Sequence, residues 1–280
     1  MGLSGIAWAS IQVSPQPPRG TLDQILGGYR RIPVLQRGAN FYCDTRLAVE
    51  ALHDDDPSVT QLGADDEALR DWAEREIFFA VFSVVSPITV LGFLARQLGL
   101  LGVVRFTRDR THMMRNATFD VLTAEQARKA VQEFIAHLGV RLSGSLYLSG
   151  KRPGYLDLCC YHPLWIACQI DRRVASPWPP IVSQWMKRMD ALGHGEVLPV
   201  AWDRALQDIA ENQSVVAGVV AEPYRVGESI VVAPSDYARD ETAGELVRLD
   251  TNRIVISRTL ESGHVIHLHF PRKGSDLRRL

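Results

Sequence analysis

The chain has 280 residues, and 31 Lys and Arg against 32 Asp and Glu leave a formal charge of −1. The apolar fraction is 46% and the charged fraction 22%, both ordinary for a globular protein. These values exclude a disordered chain, a collagen-like repeat and a disulfide-dense mini-protein, and the lack of a basic surplus argues against a dedicated nucleic-acid binder.

At ~150 residues per domain the length accommodates one to three domains. Residues 1–10 lack a basic stretch followed by a long apolar one, so they are not read as a signal peptide. The first zone, residues 1–60, is rich in turns. Residues 11–13 are predicted as a strand, and Pro15, Pro17, Pro18 and Gly20 then force an extended loop. Gly27-Gly28 marks a turn. Residues 34–36 and 40–42 read as two short strands joined by a hairpin turn at Arg37-Gly38. Asp44 is placed to cap the next helix, which runs through Leu47, Val49 and Leu52 and ends at Asp54-Asp55-Asp56-Pro57.

The second zone, residues 64–213, is helical. Its clearest helix opens with Thr123 and Gln126, a capping box, and carries Ala127, Ala130, Val131, Phe134, Ile135 and Leu138 as an apolar stripe. Gly139 is expected to stop it. Further helices follow Gly154, begin near Ile181 and hold Trp202, Leu206 and Ile209. Residues 77–95 contain no charge and approach the roughly 18–20 residues of a membrane span. Pro87 interrupts that run, and it grows out of a charged amphipathic helix. A buried helix that breaks is therefore preferred, with no membrane partner.

The third zone, residues 222–280, switches to period two. Residues 229–233, 244–249, 253–259 and 264–270 read as strands of a small antiparallel β unit. Such a meander needs to pack on the helical zone or close on itself. Arg272, Lys273, Arg278 and Arg279 read as a solvated basic end.

The segment Gly27-Gly28-Tyr29-Arg30-Arg31-Ile32-Pro33-Val34-Leu35-Gln36, continuing to Tyr42-Cys43-Asp44-Thr45-Arg46-Leu47, resembles part of the glutathione S-transferase family. It looks like the second half of that family's thioredoxin-like domain. Tyr147-Leu148-Ser149-Gly150, with Gly154-Tyr155-Leu156-Asp157, resembles the signature of its helical domain. The likeness covers residues 1–212, and the strand-rich tail resembles an extension on a subgroup of such proteins. It implies an α/β domain at 1–60, an all-α domain at 64–213 and a β extension at 222–280. It also implies a cytoplasmic homodimer that binds glutathione as substrate and conjugates or transfers it to a hydrophobic electrophile.

In that family the residue before a cis-proline offers its backbone to the cysteinyl part of glutathione. Here those residues are Ile32 and Pro33. Asp44 would accept from the γ-glutamyl ammonium. Thr45 and the helix N-terminus would suit the α-carboxylate, because unpaired N–H groups and the helix dipole favour an anion. Asp157 would cap its helix by reaching back to Gly154. The family's catalytic Ser, Cys or Tyr follows a first strand that has no counterpart here. Residues 1–8 look like the end of the first helix running into the second strand. The resemblance therefore leaves the catalytic position unfilled and implies a truncated form or a late start. An in-frame upstream strand followed by Ser-Pro-Phe or Cys-Pro-Phe would restore it. The alternative is a non-catalytic interaction protein on the same fold.

Other candidate chemistry is weaker. His264, His267 and His269 suggest metal, but no Cys or acidic partner is placed by sequence, so no metal is assigned and a solvated strand face is the default. Cys159 and Cys160 read as buried small hydrophobes. Cys43 lies beside Asp44 near a helix start, where a thiol pKa can fall, although the resemblance gives it a structural role. Cys43 and Tyr42 are the first residues to mutate if the chain proves active. With no Cys-x-x-Cys pair, the four cysteines fit a reducing compartment.

Overall fold

A computed structural model describes residues 1–213 and 216–280. In chain order its elements begin with β1 (Trp8–Ser10), α1 (Thr21–Leu26), β2 (Leu35–Arg37), β3 (Asn40–Tyr42) and α2 (Thr45–Leu52). The helical stretch holds α3 (Ala64–Asp71), α4 (Phe78–Val84), α5 (Pro87–Met114), α6 (Ala124–Leu142), α7 (Tyr155–Ile170) and α8 (Pro180–Asp190). After β4 (Val197–Pro199) and α9 (Trp202–Glu211) come β5 (Ser229–Pro234), β6 (Thr242–Leu249), β7 (Arg253–Thr259), β8 (Val265–Pro271) and β9 (Ser275–Arg279). Two compact units divide the chain. One comprises Met1–Trp8, Ser58–Val104 and Asp120–Val197, and the other Ala9–Pro57, Arg105–Phe119 and Leu198–Leu280.

The first unit is a helical core. The Thr123/Gln126 capping box is formed, with both hydrogen bonds present. The α6 stripe expected from sequence is buried throughout and packs with α4, α7 and α8 around Trp185. Each fully buried large apolar side chain there contributes about 1.5–3 kcal/mol. Gly139 does not stop α6, which continues to Leu142. A helical glycine costs only about 1 kcal/mol relative to Ala. Burial of Leu142 on the same stripe outweighs that cost.

The uncharged run breaks as Pro87 dictates. Ile77, Ala80 and Val81 are buried, Val85 leaves the helical conformation, and Pro87 opens α5. Proline is tolerated at a first helical position because that N–H would be unpaired anyway. The rest of α5 is not buried. Ile88, Leu91, Leu100, Leu101 and Val104 are exposed. By length and composition alone α5 is long and apolar enough to cross a membrane. Gly99, at φ 70° and ψ 168°, splits it into two shorter helical pieces.

The second unit is built on a seven-stranded sheet of order β2-β3-β8-β7-β6-β5-β9. All neighbours run antiparallel except β3 and β8, which pair Asn40 with His267 and Tyr42 with His269. The predicted hairpin is present, with Leu35 opposite Tyr42 and Gly38 at φ 57°. The β-rich tail thus does not close on itself; it extends the hairpin's sheet and packs with Trp202 and Ile209 of α9. Ladder bonds from Cys43 N to the His269 carbonyl and from His267 N to the Ala39 carbonyl, both 2.9 Å, satisfy the open edge of β3. Residues 11–13 are not a strand; the short strand lies three residues earlier, at β1. The basic end is not merely solvated either. Ser275–Arg279 forms β9 along β5, Leu277 packs against the core, and Arg278 and Arg279 pair with Glu241 and Glu228.

Alternation along β3 and β8 separates two faces. Phe41, Leu268 and Phe270 share a core with α1 residues Leu22, Ile25 and Leu26. Tyr42 packs with Leu47 and Ala51 of α2 on the other side. That packing overturns the solvated-face expectation for His267 and His269. Both are buried, because α2 lies against β8. The His269 ring stacks on Tyr42 at 4.4 Å, and its Nε2 lies 2.9 Å from Asn40 Oδ1. Among the described residues no group of three or more His, Cys, Asp or Glu is arranged to hold a metal.

Candidate functional site

Residues 27–33 carry the chain from α1 into β2, and close packing shapes them. Gly27 sits at φ 69°, and a Cβ on Gly28 would fall 1.8 Å from the Glu241 carbonyl oxygen. Only glycine allows that approach. Tyr29 N–H then donates to Thr242 Oγ1 at 2.8 Å, and the buried Tyr29 hydroxyl donates to the Cys43 carbonyl.

The next two side chains are arginines held by carboxylates. Arg30 binds Asp109 and lies 3.7 Å from Asp240. Arg31 donates to Asp236 and to the Tyr237 carbonyl, and its guanidinium stacks 3.9 Å from the centre of the Tyr237 ring. Burial alone would lower the pKa of Arg31, but Tyr237 and Asp236 more than offset it, so Arg31 is held firmly cationic.

Ile32 is 41% exposed, and the Ile32–Pro33 peptide is cis. The hairpin register pairs Leu35 with Tyr42, so Pro33 and Asp44 lie at the same end of the hairpin. Asp44 is extended and is the N-cap of α2; its Oδ1 accepts from Arg46 N–H at 2.8 Å. Thr45 follows as the first helical residue and is exposed. Burial pushes the Asp44 carboxyl above its usual range. The Arg46 and Leu47 N–H groups and the Arg31 and Arg46 cations pull it back. The site is thus an exposed backbone segment, a half-buried acid at a helix start, and a fixed cation in that acid's field.

Cys43 departs from the expectation of a lowered thiol pKa. It lies on the strand side of the cap, fully buried, and burial pushes its thiol up, with Asp44 adding in the same direction. Cys159 and Cys160 are also buried and raised, first by burial. Tyr42 is pushed up to about 12 by burial and by Asp55.

Asp157 lies in the helical unit, away from these groups along the chain. Its Oδ1 accepts from Leu148 N and Trp185 Nε1, both at 2.8 Å. Its Oδ2 accepts from Ser149 N at 3.0 Å and Gly154 N at 3.1 Å. It ties the loop before α7 to the helix start and to α8.

Arg31, Asp236 and Tyr237 carried no assigned role in the sequence. The available signal was a pair of adjacent arginines just ahead of a buried hairpin, a place where two cations need partners.

No family model matches the chain. No curated protein matches it either. Among solved structures it is similar to a GST-like protein from Pseudomonas syringae, with 23% identity and a TM-score of 0.76. That likeness covers 100% of this chain and 92% of the other. The fold is GST-like, with helices and a mixed sheet.

Proposed function

We propose that this chain binds glutathione at the Ile32, Pro33, Asp44 and Thr45 end of the hairpin and transfers it to an electrophilic small molecule. The observation that carries the reading is Asp44, a half-buried carboxylate capping α2 at the hairpin end that also presents Ile32. A peptide thiol laid along Ile32 would meet backbone groups at its cysteinyl residue and an acid at its amino end. With a haloarene, the sulfur–carbon bond forms as the carbon–halogen bond breaks, halide leaves, and the thiol proton passes to solvent. The work would be done in the cytoplasm, by a homodimer, without metal.

A second reading has its own support. Cys43 is buried with a raised thiol, and the Tyr29 hydroxyl is engaged by the Cys43 carbonyl. Binding without turnover is then the expected behaviour, as in an interaction protein on the same fold. Calorimetric titration with glutathione, followed by turnover of a haloarene, separates the two. Binding with turnover supports the transferase, and binding alone supports the second reading. Absence of binding refutes the glutathione site on either reading.

A further inference from the structure

We propose that Arg31 is an anion-reading partner of Asp44, and that the Asp236–Tyr237 turn of the C-terminal sheet holds it there. This rests on the glutathione reading and deepens it. The ligand chemistry is the amino-acid head of a γ-glutamyl peptide. Asp44 takes its ammonium, and Arg31 joins Thr45 and the N-terminus of α2 in taking its α-carboxylate.

Three observations carry the assignment. First, Arg31 is immobilised before any ligand arrives. One of its Nη groups donates to Asp236 Oδ1 and to the Tyr237 carbonyl, while the guanidinium plane lies on the Tyr237 ring. The turn is itself fixed. Tyr237 N–H donates to Asp236 Oδ1, and Thr118 N–H donates to the Asp236 carbonyl, both at 2.9 Å. Second, Arg31 Nε is buried with no hydrogen-bond partner. A buried donor without an acceptor is costly, and a carboxylate is the strongest acceptor for a guanidinium edge. Third, the Tyr29 hydroxyl donates to the Cys43 carbonyl and the register of Leu35 with Tyr42 puts Pro33 and Asp44 at one end of the hairpin, so the segment carrying Arg31 runs beside Asp44, whose carboxyl the Arg31 cation draws down. An acid and a base so placed match the two charges of an α-amino acid.

The planar fork of arginine suits this double duty. One nitrogen is spent on the turn, and the rest of the guanidinium, on a side chain that is 23% exposed, remains for the ligand, which a lysine could not arrange. The turn also gives the C-terminal sheet a task. Asp240 beside Arg30 and Thr242 on Tyr29 N–H show the same segment backing residues 29–31 throughout. Asp236 and Tyr237 are positioning residues on this account.

The test uses the full chain and two peptides, glutathione and 4-aminobutyryl-Cys-Gly, which keeps the ammonium and lacks the α-carboxylate. Arg31→Gln is expected to weaken glutathione by about tenfold or more, the loss of a charged hydrogen bond, and to leave the analogue unchanged. Asp236→Asn and Tyr237→Leu should show the same contrast, several-fold and in the same direction. Should Arg31→Gln fail to fold, Asp236→Asn carries the test. Equal losses for both peptides would mean a merely structural role and overturn the proposal, as would unchanged glutathione affinity. A wild-type protein that binds neither peptide would overturn the underlying glutathione reading instead, and this inference with it.

Discussion

Asp44 does two jobs in one side chain, and Asp44→Asn separates them. Asparagine is as good an N-cap as aspartate, so the bond to Arg46 N–H survives the change. What is lost is the charge offered to the γ-glutamyl ammonium. A hydrogen bond to a charged group contributes about 1.5–3 kcal/mol, so glutathione affinity should fall roughly 10- to 150-fold. Asp44→Ala should lose that and about 1 kcal/mol of folding stability as well. The pH dependence has a definite sign. Burial raises the Asp44 pKa in the folded chain, so between the unfolded and folded values the native state holds more protons. Through this group, folding stability declines as pH rises across that window, while affinity for the ammonium grows. Asp44→Asn should flatten both trends. Calorimetric titration at several pH values, beside thermal melts, reads all of this. Equal affinity of wild type and Asp44→Asn would refute the site.

Asp157→Ala should lower stability by about 3–5 kcal/mol, because two buried and two part-buried donors lose one acceptor; a denaturation midpoint within error of wild type would count against its structural role. His269 is held neutral, its pKa pushed down to about 3 first by burial and then by Arg253, with Asp55 opposing. Acidification from about 6.5 toward 3 should therefore destabilise the fold by up to about 1.4 kcal/mol per pH unit, and His269→Gln should reduce that slope in acid-unfolding curves. The protein should stay in the supernatant after detergent-free lysis, because Gly99 leaves α5 no straight run near the roughly 20 residues a span requires; recovery only in detergent would reverse this.

Local signals carried the helical unit and the hairpin. The Thr123/Gln126 box and the α6 stripe are written in consecutive turns of one helix, so spacing alone reveals them. The hairpin at Gly38 and the cap at Asp44 are equally short-range. Apart from the Gly139 stop and the strand at residues 11–13, the readings that failed were those in which a distant segment changes an environment. His267 and His269 alternate with apolar residues as an exposed face would, yet α2 and Tyr42 cover them. Ser275–Arg279 is charged enough to pass for a tail, and only pairing with β5 makes it a strand.

The site divides along the same line. Ile32, Pro33, Asp44 and Thr45 fall within fourteen residues of sequence, close enough for one motif to hold them. Arg31 sits inside that motif, but the groups that fix it are 205 residues further along the chain. Nothing local to Arg30-Arg31 names Asp236, Tyr237 or Asp240 as partners. The sheet brings them there because β3 and β8 run parallel, a pairing that joins the hairpin to the C-terminal strands as one ladder. A two-stranded hairpin is marginal by itself, so this ladder is also what gives Ile32 and Asp44 a fixed frame. Removing the C-terminal strands should therefore abolish the site rather than trim an appendage, and the affinity of Asp236→Asn tests that dependence without unfolding the sheet.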